Sequence, residues 1–274
     1  MREPLSVVVI TRDVECELPA CLATVVFADE ILVIDSGSTD GTLAVAKRHN
    51  ARIMHQSWLG FGPQKQCGVS HAQHRWVLCI DADERVSDRL RASIEAMLQA
   101  PSRTAYAVAR RNRFMGRWLR HGEGYPDWTL RLFDRNHARW SDDAVHERVV
   151  ADGPVGRLTG DLLHESEAGL AAYLEKQNRY TTLQAEKLYA EGKRPNPAKL
   201  VLSPLLRFVK FYLLRLGFLD GVPGLVHISI GCLNSFMKYA KLAETKRMNE
   251  DSATRERDVQ TGQTSRPRDS SARG

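Results

Sequence analysis

Cysteine is scarce in this chain, and no two cysteines have the CxxC spacing of a zinc or redox motif. The five cysteines form an odd set: Cys16, Cys21, Cys67, Cys79 and Cys232. Such usage is typical of a reducing compartment and argues against a disulfide framework or a structural zinc site. Cys79 lies within an apolar run, where we expect a buried free thiol.

The sequence also lacks the features of a secretory signal and of a membrane span. Residues 1–13, MREPLSVVVITRD, contain only a short apolar run and no small-residue cleavage site. Residues 221–237 carry no formal charge, but they hold a proline, three glycines, a histidine and an asparagine. That stretch is short and polar for a transmembrane helix. We therefore expect a cytoplasmic protein.

The net charge of +6 is concentrated near the carboxyl end. Residues 192–250 contain ten basic and three acidic residues, so this stretch alone carries +7. Within it, Lys199, Arg207, Lys210 and Arg215 fall within about 160° of a helical wheel, among Leu, Val, Phe and Tyr. The pattern predicts either a basic amphipathic helix on an anionic bilayer or a helix packed against the rest of the protein. Because no nucleic-acid-binding module is visible, nucleic acid is not an expected partner.

Apolar, β-branched runs alternate with helical patterns over the first hundred residues. The runs predicted as strands are residues 5–11, 30–36, 51–55 and 76–83. Helices are predicted near residues 15–27, from residue 40, at 62–74, and at 87–99 with Ser87 as the cap. Strands separated by helices of this length form a parallel, doubly wound α/β sheet.

After residue 104 the pattern changes. TAYAVARRNRF, TLRLFDR and VHERVV predict strands without helices between them, and hence an antiparallel extension. Helical sequence returns over residues 167–191, 197–216 and 223–246. We predict an α/β domain at residues 1–165, a helical extension at 166–249 and a disordered tail at 250–274.

Four acids follow the fourth predicted strand within eight positions: Asp81, Asp83, Glu84 and Asp88. Asp35 ends the second strand, so acids meet at the carboxyl edge of the sheet, where ligands bind. The period of two places Asp81 and Asp83 on one side of their strand. Carboxylate oxygens suit Mg²⁺ or Mn²⁺, whose other positions can take diphosphate oxygens. The alternative, an exposed acidic turn, is favoured only for an isolated DxD motif.

Four segments, SVVVITRD, ILVIDSGSTDGT, WVLCIDADE and VHERV, resemble the landmarks of family-2 glycosyltransferases with the GT-A fold. RLFDRNHARW, LLHES, NRYTTLQAEKLYAEGKR and GFLDGVPGL are similar to the branch related to lipopolysaccharide-core β-1,4-glucosyltransferases. The resemblance spans residues 4–245. It implies the Rossmann-like mixed sheet of nucleotide-diphospho-sugar transferases, flanked by helices, with a C-terminal helical extension.

The function implied is inverting transfer of a hexose, with glucose expected, from a UDP-sugar to a lipopolysaccharide-core or other cell-envelope glycan. A polyprenyl-phosphate or other acceptor, and a non-catalytic sugar-nucleotide-binding protein, remain alternatives. A sugar-nucleotidyltransferase is disfavoured because ITRDVECELP, after the first strand, lacks a glycine-rich phosphate loop. The basic, amphipathic C-terminal region leads us to expect a cytoplasmic protein that is peripheral on the inner face of the cytoplasmic membrane, in contact with anionic lipid.

The resemblance assigns roles residue by residue. Donor contacts are expected from Thr11, Glu15, Asp35, Lys65 and Asp81. Asp83 and His164 are expected to bind Mg²⁺ or Mn²⁺. Glu147 takes the place of the catalytic base, with Asp142 and Asp143 as substitutes. Acceptor contacts are expected from Arg117, Arg120 and His146, since arginine suits a phosphorylated, acidic glycan.

Several of these roles have a structural alternative that the sequence leaves open. Asp35 is also explained as a turn residue, and Lys65 as a solvated charge on a helix face. Glu147 is also explained by an ion pair with Arg148, and His164 by a structural role. One base without a second carboxylate acting as nucleophile implies direct displacement, and hence a β-glycoside from an α-linked donor.

Overall fold

The computed structural model of the protein describes residues 2–141, 147–165 and 169–263. Two compact units divide the chain. The first is Met1–Glu167 with Phe211–His227, and the second is Ala168–Lys210 with Ile228–Gly274. The segment Phe211–His227, which the sequence assigns to the helical extension, therefore belongs to the unit that contains the sheet.

The first unit begins with four parallel strands: β1 (Leu5–Thr11), β2 (Glu30–Asp35), β3 (Arg52–His55) and β4 (Trp76–Asp81). Their order in the sheet is β3-β2-β1-β4. The helices between them are α1 (Leu18–Ala23), α2 (Thr42–Arg48) and α3 (Phe61–His71). The predicted parallel, doubly wound half of the fold is confirmed. The strands are apolar runs because helices cover both faces of such a sheet.

The helix α1 is shorter than the predicted residues 15–27. Pro19 lies in its first turn, where proline is tolerated because that N–H has no helical partner. At the other end Thr24 turns its hydroxyl back onto the carbonyl of Cys21, at 2.7 Å, and closes the helix. The cap predicted for α4 (Asp88–Gln99) is confirmed, since Ser87 accepts a hydrogen bond from the backbone N–H of Leu90.

The remaining strands extend the sheet. They are β5 (Glu84–Val86), β6 (Ala105–Phe114), β7 (Arg117–Trp118), β8 (Asp127–Asp134), β9 (Ala138–Trp140), β10 (Val149–Ala151) and β11 (Gly156–His164). The strand β8 pairs antiparallel with both β4 and β6, as predicted. The strand predicted at residues 145–150 is shifted to β10, which pairs with β9 in a separate two-stranded sheet.

The strand β11 was not predicted as a strand. It lies between β6, to which it is parallel, and β5, to which it is antiparallel. Its register shifts between Arg157 and Asp161, so a bulge interrupts the alternation of apolar and polar residues. The parallel pairing brings His164 beside Asn112. This strand carries a candidate metal ligand to the carboxyl edge of the sheet.

Each face of the sheet has its own apolar core. One includes Leu5, Leu78 and Leu90, and the other includes Phe133 and Cys79. The prediction of a buried thiol at Cys79 is confirmed, and the indole N–H of Trp140 lies 3.3 Å from its Sγ. Burial raises the pKa of this thiol to about 11, against the smaller effect of the indole hydrogen bond.

The second unit is helical. It contains α5 (Leu170–Ala190), α6 (Pro197–Phe208) and most of α7 (Gly221–Gln263). Most of the π-helical stretch (Val209–Leu214), the 3₁₀ turn (Gly217–Asp220) and the first residues of α7 belong to the first unit. Within the second unit the ammonium of Lys241 donates to the hydroxyls of Thr181 and Thr182, at 2.9 and 2.7 Å, and so ties α7 to α5.

Helix α7 continues to Gln263, into the stretch that its composition predicts to be a disordered tail. Alanine, arginine, glutamate and glutamine propagate a helix well once it is nucleated, which composition alone does not reveal. Residues 264–274 of the predicted tail lie outside the described residues.

Over the described ranges, none of the helices taken alone has the length and apolar character that crossing a membrane requires. Within the same described ranges, one bent pair of segments, Pro197–Leu214 with Gly217–Asn249, has sufficient length and apolar composition when the two are taken together.

Candidate active site

The carboxyl ends of β1, β2 and β4 lie side by side. Thr11 is paired with Asp35, and Ile10 with Asp81. A cavity of about 450 Å³ opens at this edge, and its lining includes Thr11, Trp58, Asp81 and Asp83. The prediction that both acids of the DxD motif reach one edge of the sheet is confirmed. The strand predicted at residues 76–83 ends at Asp81, so Asp83 lies in the turn after β4 and the period of two does not place it beside Asp81.

Asp35 is buried and its carboxylate is fully engaged in the turn that follows β2. One oxygen accepts hydrogen bonds from the hydroxyls of Thr11 and Ser38, and the other from the backbone N–H groups of Gly37 and Ser38. Burial alone would raise the pKa of Asp35, but these hydrogen bonds outweigh it and lower the pKa below the usual value. The carboxylate therefore shapes the turn whether or not a donor is bound, and donor contact stays a prediction.

Glu15 acts similarly on the far side of this turn. Its carboxylate accepts the backbone N–H of Gly41, at 2.8 Å, while its own N–H donates to Asp40. Thr11, at the end of β1, and Glu15, in the segment after it, thus join Asp35 in holding the turn between β2 and α2. These three of the five predicted donor contacts are brought together, and donor binding by them stays a prediction.

Lys65 is not a solvated charge, which was one of the two predictions for it. Its side chain lies on α3 but is only 5% exposed, with Nζ 2.9 Å from Oδ1 of Asp81. The ammonium also lies 4.8 Å from the ring centroid of Trp140, within range of a cation–π contact. A buried ammonium needs an anionic partner, and Asp81 provides it.

Arg131, on β8, is the partner of Asp81 that sequence reasoning missed. Its Nη2 donates to Asp81 at 3.0 Å and to the buried carboxylate of Glu84 at 2.8 Å. Burial on its own would raise the pKa of Asp81, but the charges of Arg131 and Lys65 hold it well below its usual range. The available signal was a lone arginine in the apolar alternation of TLRLF, which predicts a buried charge with a partner.

Asp83 and His164 lie together, as the metal prediction requires. The Nε2 of His164 is 3.2 Å from Oδ2 of Asp83. Two ligands about 2.1 Å from one ion, at right angles, are about 3.0 Å apart, so this spacing fits neighbouring positions around Mg²⁺ or Mn²⁺. One carboxylate oxygen and one imidazole nitrogen suit either ion, and Mn²⁺ accepts the imidazole more readily.

These two residues do not by themselves enclose an ion. Across the described parts of the chain, no group of three or more His, Cys, Asp or Glu side chains is arranged to hold a metal. A magnesium-type site with few protein ligands takes the rest from water and substrate phosphates. The arrangement therefore fits an ion that binds together with a diphosphate.

Glu147 lies next to the same cluster. Its Oε1 is 3.8 Å from Nζ of Lys65, and its side chain is half-buried. The ion pair is thus with Lys65, whereas the sequence suggested Arg148. Gly62 of α3 makes this approach possible, since a Cβ there would lie 3.1 Å from Cβ of Glu147. The substitute bases Asp142 and Asp143, and the acceptor candidate His146, lie outside the described residues.

The arginine-rich segment at residues 110–120 is largely engaged within the first unit. Arg110 pairs with Asp127, Arg111 with Asp161, and Arg113 with Glu165. Arg117, an acceptor candidate, donates to the carbonyl of Leu219 at 3.0 Å. Arg120, the other described candidate, is exposed, and its guanidinium bonds to none of the described residues. Of the five, Arg120 is best placed to receive an external anion.

Comparison with known proteins identifies the family. The sequence model of Glycosyl transferase family 2 matches residues 6–151, which is more than half of the chain and includes the acids at the sheet edge. The chain belongs to glycosyltransferase family 2, as its motifs predict.

Two relatives that match over most of their own length are also glycosyltransferases by name. The chain is 32% identical, over 87% of its length and 92% of the other protein, to the lipopolysaccharide core biosynthesis glycosyltransferase LpsC of Rhizobium meliloti. It is 28% identical, over 88% of its length and 87% of the other, to an uncharacterized glycosyltransferase of Rickettsia typhi. These matches extend beyond the sheet into the helical region.

Among solved structures, the chain resembles the mannosyltransferase PcManGT of Pyrobaculum calidifontis, determined with GDP-Man and Mn²⁺. The TM-score is 0.51 with 16% identity, covering 90% of this chain and 88% of the other. At this identity the likeness concerns the fold alone. The mixed sheet flanked by helices, with a long C-terminal helix, confirms the GT-A fold predicted from the sequence.

Proposed function

We propose that the protein is an inverting, metal-dependent hexosyltransferase that uses a UDP-sugar, with UDP-glucose expected, to extend a lipopolysaccharide-core or related cell-envelope glycan. The observation that carries the proposal is that Asp81 and Asp83 line one cavity, with His164 3.2 Å from Asp83. Lys65 lies between Asp81 and Glu147, at 2.9 and 3.8 Å, and so links the candidate base to this acidic pair. The name of the Rhizobium relative supports the choice of acceptor.

The donor side of the mechanism rests on charge. The leaving diphosphate gains negative charge as the glycosidic bond breaks, and an ion held by Asp83 and His164 supplies Lewis-acid stabilisation when bound. Asp81 contributes by position: Lys65 and Arg131 keep its carboxylate ionised beside the cavity. An ionised Asp81 can accept a hydrogen bond from the ribose of the donor.

The acceptor side rests on Glu147. Its carboxylate takes the proton of the attacking hydroxyl, which is general-base catalysis. The ammonium of Lys65 lies 3.8 Å from Oε1 of Glu147 and helps to position this carboxylate. With one base and no carboxylate assigned as a nucleophile, the proposed mechanism is direct displacement, which inverts the configuration at the anomeric carbon.

The acceptor is expected to carry negative charge. Arg120 presents an exposed guanidinium on the loop between β7 and β8. Arginine forms two parallel hydrogen bonds with phosphate or carboxylate, which suits the phosphorylated inner core of lipopolysaccharide. A polyprenyl phosphate also carries a phosphate group and is the alternative acceptor, which an acceptor assay distinguishes from lipopolysaccharide.

We further propose that the enzyme works at the inner face of the cytoplasmic membrane. Helix α6 has no buried residue, and Val201, Leu202, Leu205 and Leu206 are between 50% and 64% exposed. Exposed apolar side chains at helical spacing, accompanied by lysine and arginine, suit an anionic bilayer surface. The predicted basic face is wrong at Arg207, because its guanidinium is partly buried and donates a hydrogen bond to Ser235 at 3.0 Å.

The donor is tested by thermal unfolding with a panel of nucleotide sugars, with and without Mn²⁺. A ligand that binds the native state raises Tm by mass action. We expect UDP-glucose to raise Tm in the presence of Mn²⁺, and Asp83→Asn to abolish the Mn²⁺-dependent part. If another nucleotide sugar stabilises the protein and UDP-sugars do not, the donor assignment is wrong.

The acceptor is tested by transfer from radiolabelled UDP-glucose. We expect label in lipopolysaccharide with a truncated core and none in polyprenyl phosphate, with Glu147→Gln as the matched inactive control. Label in the polyprenyl product instead would show that the lipopolysaccharide assignment of the acceptor is wrong. Binding of UDP-glucose without transfer or hydrolysis under any of these conditions would favour a non-catalytic sugar-nucleotide-binding protein.

A further inference from the structure

Two exposed aromatic side chains lie near the start of α3, one in the segment after β3 and the other at the first residue of the helix, and none of the roles above uses them. Trp58 is 44% exposed and Phe61 is 55% exposed, with the equally exposed Leu59 between them. Adjacent large apolar side chains in water usually mark a binding surface. We call Trp58 and Phe61 the aromatic wall.

The aromatic wall faces the candidate donor cavity. Its rings meet edge to face, with centroids 4.9 Å apart and planes at 87°. Both residues line the cavity together with Thr11 at the end of β1 and Asp83 after β4. A molecule with its phosphates near Asp83 would therefore bring its remaining groups within reach of these rings.

The loop that carries the aromatic wall is held in place. The side chain of Gln64, on α3, is fully buried. Its Oε1 accepts the N–H of Leu59 at 3.2 Å, and its Nε2 donates to Ser36 and to the carbonyl of Gln56, both at 3.0 Å. Gly60, with φ of +100°, supplies the turn that leads into α3. The rings are thus fixed before any ligand arrives, which reduces the entropy lost on binding.

We propose that the aromatic wall is the stacking surface for the nucleobase of the donor. This inference rests on the proposed use of a nucleotide sugar. The base is the flat, weakly polar part of a donor whose other groups are hydroxyls and phosphates, so it is the part that gains most from an aromatic face. The oxygens of Asp35 are already taken by the turn, so stacking supplies affinity that the carboxylate is not free to provide.

Calorimetric binding of UDP and of uridine tests this, since neither contains the transferred sugar. Replacing an aromatic residue under a base weakens binding by about 5- to 150-fold. We expect Trp58→Leu and Phe61→Leu to raise the Kd for UDP and uridine by such factors, and Trp58→Phe to restore most of the affinity. Trp128→Leu is the matched control, because Trp128 is 40% exposed and does not line the cavity.

Fluorescence gives an independent readout. All five tryptophans lie among the described residues, and of these only Trp58 lines the cavity, so Trp58 should account for quenching by UDP. We expect the quenching to vanish in Trp58→Leu and to persist in Trp128→Leu.

The outcomes separate this inference from the function on which it rests. Unchanged UDP affinity in Trp58→Leu, with normal binding by the wild type, overturns the stacking role alone. An effect seen with UDP-glucose but with neither UDP nor uridine assigns the wall to the sugar ring and overturns the nucleobase assignment. If the wild type binds no nucleotide with or without Mn²⁺, the proposed function fails.

Discussion

Asn112 holds the imidazole of His164 through a contact of 2.7 Å between its Oδ1 and the ring Nδ1. The amide nitrogen of Asn112 donates to the carbonyl of Gly124, at 3.4 Å, so the amide oxygen is the atom that faces the histidine. An imidazole that donates from Nδ1 to this oxygen keeps Nε2, which lies 3.2 Å from Oδ2 of Asp83, available to a metal ion.

Removal of Asn112 should therefore weaken metal binding without removing a ligand. Partners that orient a ligating histidine typically contribute about 10- to 100-fold in metal affinity. We expect a loss of that size in Asn112→Leu, and near wild-type affinity in Asn112→Asp, which still accepts the hydrogen bond. Electron paramagnetic resonance of free Mn²⁺, titrated with saturating UDP present, measures this. Equal Mn²⁺ affinity in wild type and Asn112→Leu would show that the contact does not serve the metal.

The base is tested by Glu147→Gln, which keeps the shape of the side chain but cannot take a proton near neutral pH. General-base assistance contributes on the order of 10²–10⁴ in rate, so kcat should fall by that range. The Kd for the donor should change little, because the base faces the acceptor. Asp142→Asn and Asp143→Asn are the comparison variants. A near wild-type rate in Glu147→Gln, with one of these two inactive, would move the role to that neighbour.

The variant Asp35→Asn tests, through the pH dependence of Tm, whether the ionised carboxylate of Asp35 stabilises the turn. The folded-state pKa of Asp35 is lowered, so its ionised form stabilises the native state above the unfolded value of about 3.9. That stabilisation is lost as pH falls through the usual Asp range toward the folded value. We expect Asp35→Asn to lower Tm at pH 7 and the difference from wild type to shrink as the pH falls below about 3.9. A difference in Tm that stays constant as the pH falls below that value would exclude the ionised carboxylate as its source.

The membrane proposal predicts that α6 binds vesicles through its apolar side chains. We expect the protein to sediment with anionic vesicles at low salt, and less at high salt because lysine and arginine contribute. Leu205→Ser with Leu206→Ser should reduce the partition coefficient by tenfold or more, since each buried leucine contributes about 1.5–3 kcal/mol. Val150→Ser, at an exposed strand position, is the control. Equal sedimentation of the double variant and the wild type would leave α6 without this role.

Gly62→Ala tests whether close packing positions the base. The new Cβ would lie 2.5 Å from the carbonyl oxygen of Ser141, so α3 or the segment carrying Glu147 must shift. Overpacking of this kind costs about 1–3 kcal/mol, and we expect a lower Tm together with a lower kcat. Gly169→Ala, where a Cβ meets no atom within 4 Å, is the matched control. An unchanged kcat in Gly62→Ala would show that the packing of α3 at this position does not position the base.

The sequence predicted the parts of this fold that depend on local pattern. The β-branched runs that end in Asp35 and Asp81 gave the parallel strands and the acidic edge, because buried parallel strands read as continuous apolar runs. It could not predict the burial of Lys65, since a lysine on a helix looks solvated until its partner is known. Its partner Asp81 and their neighbour Arg131 lie far apart along the chain, and only strand pairing brings them together.

The metal pair, Asp83 and His164, was likewise only partly predictable from the sequence. The motif suggested Asp83 and His164 through family resemblance, but the strand that delivers His164 contains a bulge and does not alternate. Asn112 gave no signal in the sequence, because its role depends on the parallel pairing of β6 with β11. The aromatic wall was equally hidden, since exposed and buried aromatic residues look alike in a sequence.

The most direct test of the account is the release of UDP from UDP-glucose, followed in a coupled assay with Mn²⁺ and lipopolysaccharide of truncated core. We predict rapid release only when all three are present, with loss on adding chelator and in both Asp83→Asn and Glu147→Gln. Undiminished release in excess chelator, or a rate that the acceptor does not raise, would contradict a metal-dependent glycosyltransferase of this specificity.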